Sequence, residues 1–332
     1  MEQLLQMSIG YVPAQILRST AELGIAEALA DGPQPTDSIA KQTETDPAAL
    51  RRLLRALVGL GLVEQLDEDR FGLTDLGRQL PAVREHLRLA ITPELWRAWG
   101  DLATVVRTGA VSRDPGTGLT AYEAAQHDPA TAALYRSAKA QASQEFTGTI
   151  TGVYDFTRFG SIVEFGGDQG TLLAAILLDA PGLRAVLYDA PEALAGATAT
   201  LVTAGVADRC EVTAGEPTGT IRAGADAYLL NHVVRDLTRD AALAVLRNVR
   251  AAMTPASRLL LVETVMPPVL TPQDSATYGL TDLNNLIYTG GQERTAEEYR
   301  ELLETAGLTL TAVAAAPATK GLPDYNVIEA AA

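Results

Sequence analysis

The chain has 332 residues, 47% of them hydrophobic, and carries 26 Lys and Arg against 41 Asp and Glu for a net charge of −15. That length accommodates two domains with a sizeable core, and the acidic balance argues against a nucleic-acid or anionic-membrane partner. A single cysteine, Cys210, leaves no intramolecular disulfide framework and fits a reducing cytoplasm. Glu2, Arg18, Glu22 and Glu27 interrupt any signal-peptide core near the start. No apolar run approaches the roughly 18 residues of a membrane span. A cytoplasmic protein is therefore expected, and no metal site.

Residues 10–30 show helical periodicity, with Ile16, Leu17, Leu23, Ile25 and Leu29 as the apolar set. Thr36 is placed to cap a short helix. Asp46 caps the next, with Pro47 at its first position and Gly61 ending it. "LVEQ" and "RFGLT" then read as two short strands around a turn at 67–69. Three helices followed by a β-wing form a winged-helix pattern. The third helix holds Arg51, Arg52 and Arg55, as a DNA reader's would. Residues 31–80, however, contain six basic and nine acidic side chains, whereas a DNA-binding module is basic. A packing or dimerisation module is the better reading.

Residues 81–155 read as mainly helical and carry Trp96, Trp99 and "ATAALYRSAKAQASQEF". From residue 161 strands and helices alternate: "SIVEF", then "TLLAAILLDA"; "RAVLYD", then "PEALAGATATLVTAG"; "CEVTAG"; "DAYLLNHVV", then "RDAALAVLRNVRAAM"; "RLLLVETV", then "TAEEYRELLETAG". Two more strand candidates lie in 308–332. Such alternation predicts a mostly parallel sheet covered by helices, which binds ligands beyond the carboxyl ends of its strands.

The first of those strands runs into a glycine-rich turn in "VEFGGDQGTLL" (163–173). Gly166, Gly167 and Gly170 let backbone approach a ligand closely, and the helix that follows presents its N–H groups. The spacing is G-G-x-x-G, so the dinucleotide fingerprint G-x-G-x-x-G is not met. The second strand ends in Asp189, whose carboxylate can take both hydroxyls of a ribose. Glu164, the loop and Asp189 together describe an S-adenosylmethionine (SAM) site better than an NAD site. Asp168, within the loop, can accept a hydrogen bond from the amino end of SAM but repels the carboxylate of the same moiety.

At these residues the chain resembles the small-molecule O-methyltransferases shared by plant phenolic and bacterial antibiotic pathways. The most specific pieces are "LTDLG", "PGLRAVLYDAPEAL", "ADAYLLNHVVRD", "LRNVRAAM", "RLLLVETVMP" and "GGQERTAEEYRELLETAGL". The resemblance implies a Rossmann-like class I methyltransferase sheet, α/β and mostly parallel, binding SAM or S-adenosylhomocysteine (SAH). It also implies a winged-helix-like dimerisation domain, a homodimer, and a small-molecule cleft roofed partly by the partner subunit. The expected boundaries are 1–92 for the dimerisation domain, 93–155 for a helical linker and substrate lid, and 156–332 for the catalytic domain.

The family's strand-end triplet is His-Asp-Trp, with histidine as general base; the aligned residues are Arg235, Asp236 and Leu237. Arginine does not give up its proton near neutral pH and cannot take one from a hydroxyl. His232, three residues earlier on a strand, is expected to face the opposite way. The flanking glutamates of the family correspond to Glu263 and Glu293, which catalyse or else hold Arg235 as a buried ion cluster. A second reading of Glu293 is helix-start chemistry, since Thr295 and Glu298 make a capping box beside it.

The glycine-acid-aromatic edge of the adenine site becomes Gly215, Glu216, Pro217 and Thr218. Lys139 and Asn285 stand where the substrate pocket usually has methionine, and Trp99 and Tyr135 complete that pocket. Three functions stay open. One is O-methyl transfer that relies on proximity and an acidic hydroxyl. A second is a repurposed cyclisation, isomerisation, decarboxylation or hydroxylation, with Lys139 and Arg235 polarising a carbonyl or holding an enolate. The third is a ligand-binding or transcriptional protein. The missing base tilts the reading narrowly towards the second.

Overall fold

A computed structural model of the chain describes residues 1–316 and 324–332, apart from the side chains of 138–142, 144 and 145. The chain divides into two compact units, Met1–Arg97 and Ala98–Ala332. Among the described residues no helix is long and apolar enough to cross a membrane.

In the first unit Asp46 accepts a hydrogen bond from the Ala49 N–H at 2.8 Å, and Pro47 opens the helix Pro47–Gly59 as its sequence predicts. The wing is an antiparallel sheet of β1 (Gln34–Pro35), β2 (Val63–Gln65) and β3 (Arg70–Leu73), ordered β1-β3-β2. Ile25, Leu29, Ile39, Leu54, Leu57 and Phe71 form the core of this unit. Thr36 corrects one expectation: it is the first helical residue and its side chain makes no capping bond. Its N–H instead donates to the Asp69 carbonyl at 3.1 Å, so sheet pairing starts the helix one residue early. The first helix, Glu2–Ser8, buries nothing within its own chain. Leu4, Leu5, Met7 and Ile9 are exposed around it.

The second unit is built on a seven-stranded sheet, ordered β6-β5-β4-β7-β8-β10-β9. Its strands are β4 (Ser161–Phe165), β5 (Arg184–Asp189), β6 (Cys210–Ala214), β7 (Ala227–Asn231), β8 (Arg258–Thr264), β9 (Thr309–Ala316) and β10 (Tyr325–Ala331). Strands β6 to β8 pair in parallel; β10 runs antiparallel to both β8 and β9. Both faces are buried, as expected of a helix-covered parallel sheet. Ile162, Leu229, Leu260 and Val262 face the helix Thr171–Asp179 on one side. Val163, Phe165, Tyr228, Leu230 and Leu261 face the helices Arg239–Ala252 and Ala296–Thr305 on the other. Burying each such side chain contributes about 1.5–3 kcal/mol. The strand order reverses between β4 and β7, so a crevice opens at their carboxyl ends, where open α/β sheets take ligands.

Candidate active site at the carboxyl ends of the strands

The turn after β4 is shaped by close packing. Gly166 has φ +75°, and a Cβ there would lie 2.6 Å from both the Asn231 carbonyl oxygen and Val233 Cγ2. Only glycine fits that conformation and that space. Asp168 follows in the left-handed region at φ +53°, which a short polar side chain tolerates. Its N–H donates to Asp189 Oδ2 at 2.9 Å, and the Ala190 N–H donates to Asp189 Oδ1 at 2.8 Å. Asp189 thus joins the end of β5 to the β4 turn. An ionised carboxylate has about four lone-pair sites, so this tie leaves capacity for ribose hydroxyls.

Glu164 is fully buried, with Oε1 accepting from Asn231 Nδ2 at 3.3 Å. Gly170 precedes the helix Thr171–Asp179 and donates its N–H to the Gly167 carbonyl at 2.8 Å. Gly215 donates its N–H to the Asp189 carbonyl at 3.0 Å. Glu216 beside it is exposed, and Thr218 donates to its carboxylate at 3.4 Å. The cradle at Gly166 and the carboxylate at the end of β5 fit the nucleoside and amino-acid ends of SAM.

Beyond β7 the chain makes one 3-10 turn, Val234–Asp236, which carries Arg235. Arg235 Nη2 lies 2.5 Å from Glu293 Oε1, and Nε lies 3.9 Å from Asp236 Oδ1. Glu293 is buried and fully engaged. Asn285 Nδ2 donates to Oε1 at 3.1 Å, Thr264 donates to Oε2, and the Glu293 N–H donates to Asp282 Oδ1 at 2.7 Å. Glu263 Oε1 accepts the Val234 N–H at 2.8 Å and the Arg235 N–H at 3.3 Å. Burial alone would pull the Arg235 guanidinium down, but Glu293, then Asp236 and Glu263, hold it above its ordinary value.

Burial pushes the Glu263 carboxyl up to about 8, against the attraction of Arg235. The folded state therefore holds this proton more tightly than the unfolded chain does. The contribution is fully present below the unfolded value of 4.5 and is lost as pH rises through about 8. Glu263→Gln imitates the protonated acid. The difference between its melting temperature and that of the parent is expected to move in the variant's favour across this window; a pH-independent difference would contradict the assignment.

The expected residues separate as follows. Arg235, Glu263, Glu293 and Asn285 converge on one cluster, although Asn285 is buried and spends its amide on Glu293. Trp99 packs against the small cluster of Ala98, Val105, Ala121 and Ile287. Tyr135 lies against Tyr288 with ring centroids 5.8 Å apart. The Lys139 side chain lies outside the described residues. The prediction for His232 is corrected in its reason: β7 ends at Asn231, and His232 has φ +54°, so strand alternation does not orient it. Its ring lies 4.9 Å from both Phe146 and Tyr325. His127 is exposed at the end of the helix Ala121–His127, and His86 belongs to the first unit.

Several neighbours of the site had no sequence signal of their own. Thr264 and Arg294 sit inside the two recognised motifs without a pattern to mark them, and Asp282 accepts the N–H of a residue distant in sequence, Glu293. Tyr122 makes an edge contact with Tyr288 at 5.5 Å. Burial, then the carboxylates of Asp236, Asp189 and Asp168, push its hydroxyl up.

Residues 99–309 match the model of the O-methyltransferase domain, and residues 5–81 match the O-methyltransferase dimerisation domain. The mitomycin biosynthesis 6-O-methyltransferase of Streptomyces lavendulae is 35% identical over 301 residues, covering 89% of this chain and 85% of that protein. The solved mitomycin 7-O-methyltransferase MmcR superposes with a TM-score of 0.89 at 33% identity, over 100% of this chain and 97% of the other. NcsB1, an O-methyltransferase of neocarzinostatin biosynthesis solved with SAM and 2-hydroxy-5-methyl naphthoic acid, gives 0.83 at 27% identity, over 96% of each chain. A relative with a different chemistry is aclacinomycin 10-hydroxylase RdmB of Streptomyces purpurascens, 29% identical over 96% of this chain and 87% of that protein. With its class I methyltransferase sheet and both matched domains, the chain belongs to the O-methyltransferase family.

Proposed function

We propose that the protein methylates an oxygen of a small natural-product intermediate in bacterial secondary metabolism, with SAM as donor and an acceptor that reaches the site already ionised. The turn 166–170, Glu164, Asp189 and Glu216 would hold SAM, which would supply an electrophilic methyl group. Methyl transfer is favoured over the repurposed reaction by the match to the O-methyltransferase domain and its methylating relatives, and the Arg235 cluster is what supports an acceptor that is already ionised. By the resemblance Arg235 corresponds to the family's base position, and both Glu263 and Glu293 are engaged in holding it and its turn. A fixed cation lowers the energy of an acceptor oxyanion but removes no proton. Trp99, Tyr122 and Tyr135 are read as the aromatic surround of the acceptor. The helical stretch 93–155 is read as its lid.

The test is the intact mass of the product made by the purified protein with SAM and a phenolic acceptor. A gain of one CH2 supports the proposal; a loss of CO2, a gain of one oxygen, or an unchanged mass with altered chromatography supports a second reading. That reading is a cyclisation, isomerisation, decarboxylation or hydroxylation in which Arg235 holds an enolate. It is favoured by the loss of the base and by the hydroxylase among the relatives.

Two further outcomes are expected. Asp189→Ala should weaken SAH binding in calorimetry by more than tenfold, since it loses the ribose acceptor and frees the Asp168 N–H; each such charge-assisted hydrogen bond is worth about 1.5–3 kcal/mol. Unchanged affinity would remove Asp189 from the cofactor site. The protein should sediment as a homodimer at micromolar concentration, because the exposed apolar residues of the first helix need a partner; a monomer would contradict this.

A further inference from the structure

Arg294 is 2% exposed and, among the described residues, forms no ion pair. Burying a guanidinium without a carboxylate is costly unless its donors are well used. They are used on backbone. Nη1 donates to the Val234 carbonyl at 2.9 Å and the Gln292 carbonyl at 3.1 Å, and Nη2 reaches the Leu237 carbonyl at 3.5 Å. Val234 and Leu237 bracket the turn that carries Arg235. The same turn is held from the other side, where Glu263 accepts the N–H groups of Val234 and Arg235. The Gln292 N–H donates to the Arg235 carbonyl at 2.8 Å. Gly291 allows that approach, because a Cβ on it would collide with the Arg235 carbonyl oxygen. The N–H and carbonyl of Val234, the N–H and carbonyl of Arg235 and the carbonyl of Leu237 are thereby engaged, while the Arg235 side chain is directed by its ion pair with Glu293.

From this we infer that Arg294 is a positioning residue: its fork fixes the 234–237 backbone so that Arg235 presents one guanidinium edge to the acceptor while the other is held by Glu293. The role is specific to arginine. Lysine offers a point charge and cannot span the carbonyls of Val234, Gln292 and Leu237 in one plane. The inference rests on the reading of Arg235 as the group that meets the acceptor oxygen, and it can fail separately from that reading.

The test uses full-length protein labelled with [15N]arginine. The Arg235 Nε–H resonance is assigned by its loss in Arg235→Lys. In Arg294→Met the solvent exchange of that proton is expected to accelerate by about tenfold or more, as a turn released from its anchors opens more often. SAH affinity should stay within about twofold of the parent, since the cofactor turn is untouched. Methyl transfer to a phenolic acceptor should lose about 10²-fold in kcat, the cost of a misplacement near 1 Å, with KM nearly unchanged. In an Arg235→Ala background Arg294→Met should cost little more. Arg294→Lys, a second variant should the first fold poorly, should give intermediate exchange. Parental exchange at Arg235 in both variants overturns the inference, as does an equal kcat loss in the Arg235→Ala background. Parental methyl transfer by Arg235→Ala overturns the reading of Arg235 instead and leaves the exchange result standing.

Discussion

Arg235→Ala is expected to lower kcat/KM for methyl transfer by about 10²–10³, the usual effect of removing one donor from a developing oxyanion. The protein should still fold, with a lower melting temperature, because the buried Glu293 loses its close cation but keeps the Asn285 amide and the Thr264 hydroxyl as donors. Arg235→His should also lose activity. A mostly neutral imidazole is shorter, lacks the fork of donors, and is not placed to pair with Glu293 as the guanidinium does at 2.5 Å. The competing view is a purely structural ion cluster, under which Arg235→Ala assayed well below its own melting temperature would keep parental kcat/KM. Parental kcat/KM in Arg235→Ala, measured beside its melting temperature, would refute the catalytic role. So would normal methyl-transfer rates in Arg235→His.

The largest stability effect is expected at Glu293. Glu293→Leu leaves the 12% exposed Arg235 guanidinium without its close partner and strands Asn285 and Thr264. Breaking a buried pair by removing one member costs about 3–5 kcal/mol, because a buried charge is left uncompensated. Glu293→Gln keeps acceptor capacity for Arg235 and should cost less. Urea unfolding of the three proteins decides this: a Glu293→Leu midpoint equal to the parent would mean that the cluster contributes nothing to the fold.

The sequence pattern was most informative where local chemistry and periodicity agree. The strand "SIVEF", its glycine turn and the acid ending "RAVLYD" specify neighbouring strand ends, and β4 does pair with β5 in register from Ser161↔Arg184 to Phe165↔Tyr188. Arg235, Glu263 and Glu293 were foreseeable as a group only through the family resemblance, which pairs a base position with two flanking glutamates; Arg235 lies in the turn after β7 and Glu263 near the end of the adjacent parallel strand β8. What was not legible depended on backbone meeting backbone across the chain. Nothing in "GGQERT" shows that Gly291 packs against the Arg235 peptide or that Arg294 binds the carbonyls around it. His232 illustrates a rule applied one residue too far: alternation holds to Asn231, and then a positive φ redirects the chain. Thr36 shows the converse, a cap signal overridden by sheet pairing to Asp69.

The central claim is that the acceptor arrives ionised at a fixed cation and that the protein supplies no base. Its most direct test is the pH dependence of kcat/KM, with SAM saturating, for two phenolic acceptors of clearly different acidity. The account predicts a rising limb that follows each acceptor's own ionisation and moves when the acceptor is exchanged. A limb that stays at one pH for both acceptors would reveal a proton-accepting group in the protein and contradict it.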